Sequence, residues 1–329
     1  MRKGMAVAIM ILAGSSAAFG AGSSHKGPIR PVCTFSIVAY DSATGQFGAA
    51  VQSHYFKVAD VIWVEPGVGA VATQSLVDFA YGPLGLAMMR NGKSAQQALD
   101  GLLASDSANT VRQVAMVDRN GRVAAHTGEK CIPEAGHHVG KGYSCEANLM
   151  RNNTVWDAMA KAYENTKGDL AERLMCALEA AQKEGGDIRG MQSAAIMVVS
   201  GTPTGQMWKD KLFDLRVDDS PQPLIELRRL LTLQRAYKHV DKGDDFTTAK
   251  DMVSAEKEYG EASRLAPDNL EIKFWHAATL ATNGEIEKSL PIFKEVFKVD
   301  DAWRILVPRL VKVDLLPNDD KIIKQILAQ

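Results

Sequence analysis

The chain carries almost no net charge: 38 Lys and Arg stand against 39 Asp and Glu, for a formal charge of −1. That balance removes the electrostatic footprint expected of a nucleic-acid binder or of a protein held on an anionic membrane. Beyond the first 20 residues there is no apolar run of about 20 residues that could span a bilayer. A Gly-x-Ser-x-Gly nucleophile elbow is also missing. Gly67-Val68-Gly69 lacks the third glycine of a dinucleotide fingerprint, and Gly140-Lys141-Gly142 lacks P-loop spacing. Neither nucleotide nor cofactor binding is therefore expected. Cysteine is scarce, with four in 329 residues.

The amino terminus is the most legible segment. Arg2 and Lys3 precede an apolar stretch, Met5 to Gly14, and Ala18-Phe19-Gly20 supplies small residues for a signal peptidase. We expect a signal peptide over residues 1–20, cut before Ala21, and a periplasmic or secreted protein. Residues 21–33 are small, polar and Pro-containing, and read as a flexible leader.

In an oxidising compartment the cysteines become candidates for pairing. Cys131 and Cys145 flank a Gly-rich stretch, and a disulfide there would contribute about 3 kcal/mol on the chain-entropy model. Zinc held by Cys131, His137, His138 and Cys145 is the alternative; the disulfide is expected, and no metal. Cys33 and Cys176 form the second potential pair.

Order is expected to begin near Cys33. Thr34 to Tyr40 and Phe47 to Gln52 flank turn residues and predict a β-hairpin. Val61 to Val64 and Val68 to Thr73 predict two more strands. Helices are expected over Gly82 to Asn91 and Ser94 to Ser105, the second opened by a Ser94/Gln97 capping box. Asn120-Gly121 predicts a hairpin between Gln113 to Val117 and Arg122 to His126. Residues 128–150 read as irregular. Two amphipathic helices follow, Thr154 to Asn165 and Asp169 to Glu184, then strands Ser193 to Val199 and Met207 to Val217. This order suits helices outside two stacked sheets better than a parallel βαβ sheet. Pro221-Gln222-Pro223 reads as a linker, so the domains are set at residues 34–220 and 224–329. Beyond the linker, helices are expected over Leu227 to Val240, Ala249 to Leu265, Glu271 to Thr282 and Ile286 to Phe297.

Two resemblances add to this reading. Thr34-Phe35-Ser36-Ile37-Val38-Ala39, Val51-Gln52-Ser53, Gly67 through Gln74, Tyr81-Gly82-Pro83, Cys131-Ile132-Pro133 and Gly190 through Ala195 resemble the bacterial family called domain of unknown function 1028. That resemblance implies an Ntn-hydrolase-like fold. The expected fold class is thus α+β: a four-layer αββα sandwich followed by a small all-α domain. Ala277, Leu280, Gly284, Ser289 and Phe293 resemble a tetratricopeptide repeat, with a degenerate second copy before it.

In Ntn-hydrolases a Thr, Ser or Cys at the start of the first strand attacks an amide, and its own α-amine is the base. The resemblance makes Thr34 the candidate nucleophile, or Cys33 if the chain is cut one residue earlier. The Gln-Ser pairs at strand ends suggest Ser53, Gln74 and Ser75 as polar liners, and Asn148 joins them by position. A peptide or amide would be the substrate and the C-terminal helices would contact a protein partner. The alternative is a non-catalytic binding or scaffold protein.

Overall fold

The computed structural model describes residues 31–329. The expected signal peptide, and the leader as far as residue 30, lie outside the described residues.

Alternation along the first strands decides the layers. On β1 (Thr34–Tyr40) Phe35, Ile37 and Ala39 face one way, and Thr34, Ser36 and Val38 the other. Both faces are buried, as they are on β2 (Phe47–Ser53). A strand covered on both sides needs apolar residues at nearly every position, and that is how these segments read. The chain continues through β3 (Ile62–Glu65), β4 (Gly69–Ser75), α1 (Tyr81–Arg90) and α2 (Ala95–Ser105). Next come β5 (Arg112–Asp118), β6 (Val123–Thr127), β7 (Gly136–Gly140) and β8 (Tyr143–Ala147). After them stand α3 (Val155–Asn165), α4 (Leu170–Lys183), β9 (Ser193–Val199), the short turn α5 (Met207–Asp210) and β10 (Lys211–Val217).

Among the described residues, ten strands make two antiparallel sheets. One runs β10-β9-β2-β1-β8-β7, the other β3-β4-β5-β6. Three apolar clusters separate the layers. Val71, Leu86, Leu99 and Met116 lie between the four-stranded sheet and α1 and α2. Val38, Val51, Ala72 and Ala115 lie between the sheets. Ile37, Ile196, Leu174 and Leu178 lie between the six-stranded sheet and α3 and α4. The chain is therefore α+β, with helices on both outer faces of two stacked sheets. The Ser94/Gln97 capping box forms as expected.

Three expectations are corrected. Residues 128–150 are not irregular: they contain the β7–β8 hairpin. Their glycines serve close approach rather than looseness. A Cβ on Gly136 would come within 2.6 Å of the Trp156 ring, and one on Gly140 within 2.2 Å of Tyr143. The strand expected from Met207 starts only at Lys211. Asp210 accepts from the Thr204 amide at 3.0 Å and the Ser200 hydroxyl at 3.1 Å, which fixes a turn there instead.

The third correction concerns sulfur. All four cysteines are free. Cys145 points from β8 into the cluster beneath α3 and α4. The Cys131 thiol donates to the Arg112 carbonyl at 3.4 Å, at the start of β5 in the other sheet. The two thus lie toward opposite faces of the six-stranded sheet, where no disulfide can bridge them. Cys176, on α4, contacts Glu172 and Arg228 and not Cys33. His137 bonds Thr127 at 2.8 Å and His138 bonds Asp157 at 2.7 Å, so these side chains do not converge with the thiols. Among the described residues no cluster of His, Cys, Asp or Glu is arranged to hold a metal ion.

The C-terminal region is helical: α6 (Pro223–Thr248), α7 (Met252–Leu265), α8 (Leu270–Thr282), α9 (Ile286–Val299), α10 (Trp303–Val311) and α11 (Asp320–Leu327). Pro223 occupies the first turn of α6, where its missing N–H costs nothing. The first three turns of α6 belong to the sandwich. Leu224, Leu227 and Leu231 join the cluster of α4. Arg228 pairs with Glu172 at 2.6 Å and Glu179 at 2.8 Å, and Arg235 with Asp169 at 2.6 Å. The second half of α6 packs with α7 through Ala236, Val240, Ala255 and Tyr259. Phe274, Phe293, Phe297, Val307 and Ile326 make a separate core for the last four helices.

Candidate functional site

Antiparallel pairing gathers strand ends. Thr34, which opens β1, sits opposite Ser53, which closes β2. Gln74 near the end of β4 sits opposite Gln113 near the start of β5. Asn148 follows β8. Thr34, Ser53, Gln74, Ser75 and Asn148 are all fully buried, and the fold brings them to one end of the intersheet space.

Gln113 is the hub, a residue that the sequence pattern does not single out. Its carbonyl oxygen accepts from Gln74 Nε2 at 2.7 Å and Asn148 Nδ2 at 2.8 Å. Its amide donates to the Ala147 carbonyl and the Thr127 hydroxyl, each at 2.9 Å. The signal available in sequence is a glutamine near the start of an apolar strand, without the Gln-Ser pairing that marks Ser53, Gln74 and Ser75. The Thr34 carbonyl accepts from the Asn148 amide at 3.1 Å and Gln74 Nε2 at 3.3 Å. Gln74 Oε1 and Asn148 Oδ1 are buried acceptors without a partner among the described residues. Buried polar groups are nearly always satisfied, so these two oxygens are open to a further donor.

The residue before Thr34 is held as tightly. The Cys33 carbonyl accepts from Ser53 Oγ at 2.5 Å and Arg189 Nη2 at 2.7 Å. Asp187, its side chain wholly enclosed, grips the same guanidinium at 2.6 Å. Burial disfavours the Arg189 charge, but the hydrogen bond and charge of Asp187 more than offset it and the pKa is raised. Asp187 and Arg189 lie in the loop before β9, far from Thr34 in sequence, and nothing local marked them. The Thr34 hydroxyl donates to the Val32 carbonyl at 2.9 Å. Val32 itself forms an isolated antiparallel bridge with Ser75, through hydrogen bonds of 2.8 and 2.9 Å. Ser75 holds a φ of 73°, which is uncommon for a residue with a side chain.

Cys33, the alternative nucleophile, is enclosed as completely as Thr34. Burial pushes its thiol up to about 12, against the pull of Arg189. The thiolate is the reactive form, and at that value it is scarce near neutral pH.

Glu146 lies deeper on the same intersheet face, opposite Ser36, whose hydroxyl donates to Oε1 at 3.3 Å. Burial drives its pKa far above the ordinary carboxyl range, so the group stays protonated. A carboxyl whose folded pKa is raised gives stability that is complete below its unfolded value and is lost as pH rises toward the folded value. Across that window, each pH unit above about 4.5 lowers the folded-to-unfolded ratio by up to about tenfold through this group. Glu146→Gln should therefore gain on the wild type as denaturant melts move from pH 5 to pH 8. Parallel pH dependence of the two chains would show that Glu146 ionises in the folded chain as it does unfolded.

A profile for a family of unknown function (DUF1028) matches residues 34–227. The match ends inside α6, past Leu224 and at Leu227. The crystal structure of a DUF1028 protein from Silicibacter pomeroyi is similar, with a TM-score of 0.55 and 28% sequence identity, covering 60% of this chain and 88% of that one. No curated protein matches.

Proposed function

The chain belongs to the family of unknown function DUF1028, and we propose that this member is an exported amide hydrolase of the N-terminal-nucleophile type, with Thr34 as its nucleophile. One observation carries the reading. The carbonyl of the bond before Thr34 is held by two donors, Ser53 and Arg189, beside a hydroxyl on the next residue. Donors placed on a carbonyl stabilise the negative charge that develops there when it is attacked.

The first reaction is on the chain itself. Thr34 Oγ1 adds to the Cys33 carbonyl carbon, the carbon–nitrogen bond to Thr34 breaks, and the hydroxyl proton ends on that nitrogen. Water then hydrolyses the resulting ester, leaving a Cys33 carboxyl group and a Thr34 with both hydroxyl and α-amine free. An α-amine has a pKa near 8, so it can serve as base at working pH. Gln74 Oε1 and Asn148 Oδ1 supply acceptors for an amine or for a substrate N–H. The αββα layering supports an Ntn-hydrolase-like fold. The α8–α9 hairpin, with Ala277, Phe293 and Gly284, supports a tetratricopeptide-like region for contact with a protein partner.

A second reading rests on a different observation. With residues 31–33 in place, Thr34 is wholly buried. A chain that kept its leader would be a binding or scaffold protein and no enzyme. Expression with the native signal in a bacterial host, followed by the mass of the mature protein, decides between them. The enzyme reading expects Thr34 at the amino terminus. A mature chain found only with residue 21 first overturns it in favour of the binder.

A further inference from the structure

We propose that the slot now filled by Val32 is the acyl-side subsite of this site, and that the substrates are extended peptides, or peptide-like amides, with a β-branched apolar residue one position before the residue whose carbonyl is cut. This rests on the Thr34 reading above. Three observations support it.

The segment before Thr34 docks as a strand would. Val32 exchanges both backbone hydrogen bonds with Ser75, in a single antiparallel rung at the end of β4. Its side chain is 1% exposed and belongs to the intersheet cluster with Val38, Val51, Val58 and Ala72. Cys33, next in line, is completely buried, so that position is enclosed too, and its carbonyl meets Ser53 and Arg189.

Cutting the Cys33–Thr34 bond leaves residues 31–33 without a covalent tie to Thr34, held among the described residues by these contacts and by Arg189 Nη1 on the Pro31 carbonyl at 3.4 Å. Their departure uncovers the N–H and C=O of Ser75 together with an apolar slot. Backbone groups at a strand end, left without partners, favour the addition of another extended chain. A substrate that repeats the Val32 rung also brings its next carbonyl to the Ser53 and Arg189 donors. The leader is thus the first substrate and a template for those that follow. A carboxylate in the Val32 slot would have to be desolvated among apolar side chains, since Arg189, which holds the Pro31 and Cys33 carbonyls on either side, is already paired with Asp187.

Two measurements test this. In the full chain, Val32→Ile should release the leader within a few-fold of the wild-type rate, and Val32→Asp at least about 100-fold more slowly. On the processed wild-type protein, acetyl-Pro-Val-Ala p-nitroanilide should be hydrolysed, or should inhibit, at least about tenfold better than acetyl-Pro-Asp-Ala p-nitroanilide. The peptide comparison needs no variant, so a misfolded Val32→Asp chain does not shield the proposal. Self-cutting of the wild type with no preference between the two peptides would overturn the subsite and leave the Thr34 reading standing. A wild type that never cuts would overturn that reading, and the subsite with it.

Discussion

Thr34→Ala should leave the Cys33–Thr34 bond intact and abolish amide hydrolysis, while Thr34→Ser keeps a measurable part of both. The hydroxyl is the only group on that residue able to attack the preceding carbonyl, and serine retains it. Folding is not at issue. The Thr34 side chain contributes one hydrogen bond, to the Val32 carbonyl, and a bond of that kind is worth about 0.5–1.5 kcal/mol. Ser53→Ala removes one of two donors on the carbonyl and should slow cutting about 10²–10³-fold. Arg189 is a less clean target, because its loss leaves Asp187 buried and unpaired, at a cost of about 3–5 kcal/mol. Cys33→Ala should cut normally. The time course of the mass change in each purified chain gives these rates. Loss of cutting in Cys33→Ala with none in Thr34→Ala would move the nucleophile to Cys33.

The second large effect concerns length. A chain ending at Pro221 should lose most of its stability, and a chain ending at His239 should keep most of it. Leu224, Leu227 and Leu231 complete the cluster over α4. Each buried leucine contributes about 1.5–3 kcal/mol, so their loss approaches the whole stability of a typical domain. Arg228 and Arg235, which bind Glu172 from α6, are lost with them. The longer chain retains all five side chains and also Lys238, which lies 3.6 Å above the Phe213 ring. Thermal melts of the two truncated chains test this. Equal, cooperative melts would show that α6 is dispensable to the sandwich.

The sequence was most informative where the determinants are local. The β-branched and aromatic run of Thr34 to Tyr40, the Ser94/Gln97 box and the Asn120-Gly121 turn each act within a few residues, and each is found where expected. The β7–β8 hairpin was hidden because its glycines answer to Trp156 and Tyr143, ring contacts that composition cannot reveal. Pro221-Gln222-Pro223 looked like a boundary because proline breaks patterns. Whether the helix after it faces the sandwich depends on α4, which lies far away in sequence. The same distinction holds at the site. Thr34, Ser53, Gln74 and Ser75 stand at strand ends that the order of elements makes visible, whereas Asn148 follows β8, a strand that the glycine-rich composition conceals. Gln113, Asp187 and Arg189 act only through pairing across sheets, and the cysteines were misread because sheet faces, not loop length, separate Cys131 from Cys145.

Helix α6 belongs to two cores at once, and this gives the molecule a lever. At 1.5 Å per residue, its 26 residues span about 39 Å. The near end is clamped to α4 by leucines and arginines, and the far end carries α7 and α8. A tilt of about 5° at the clamp would swing the far end by about 2–3 Å. Load applied to the C-terminal helices is therefore delivered as torque on α4, whose opposite face rests on β2 and β9, the strands that end at Ser53 and begin at Ser193.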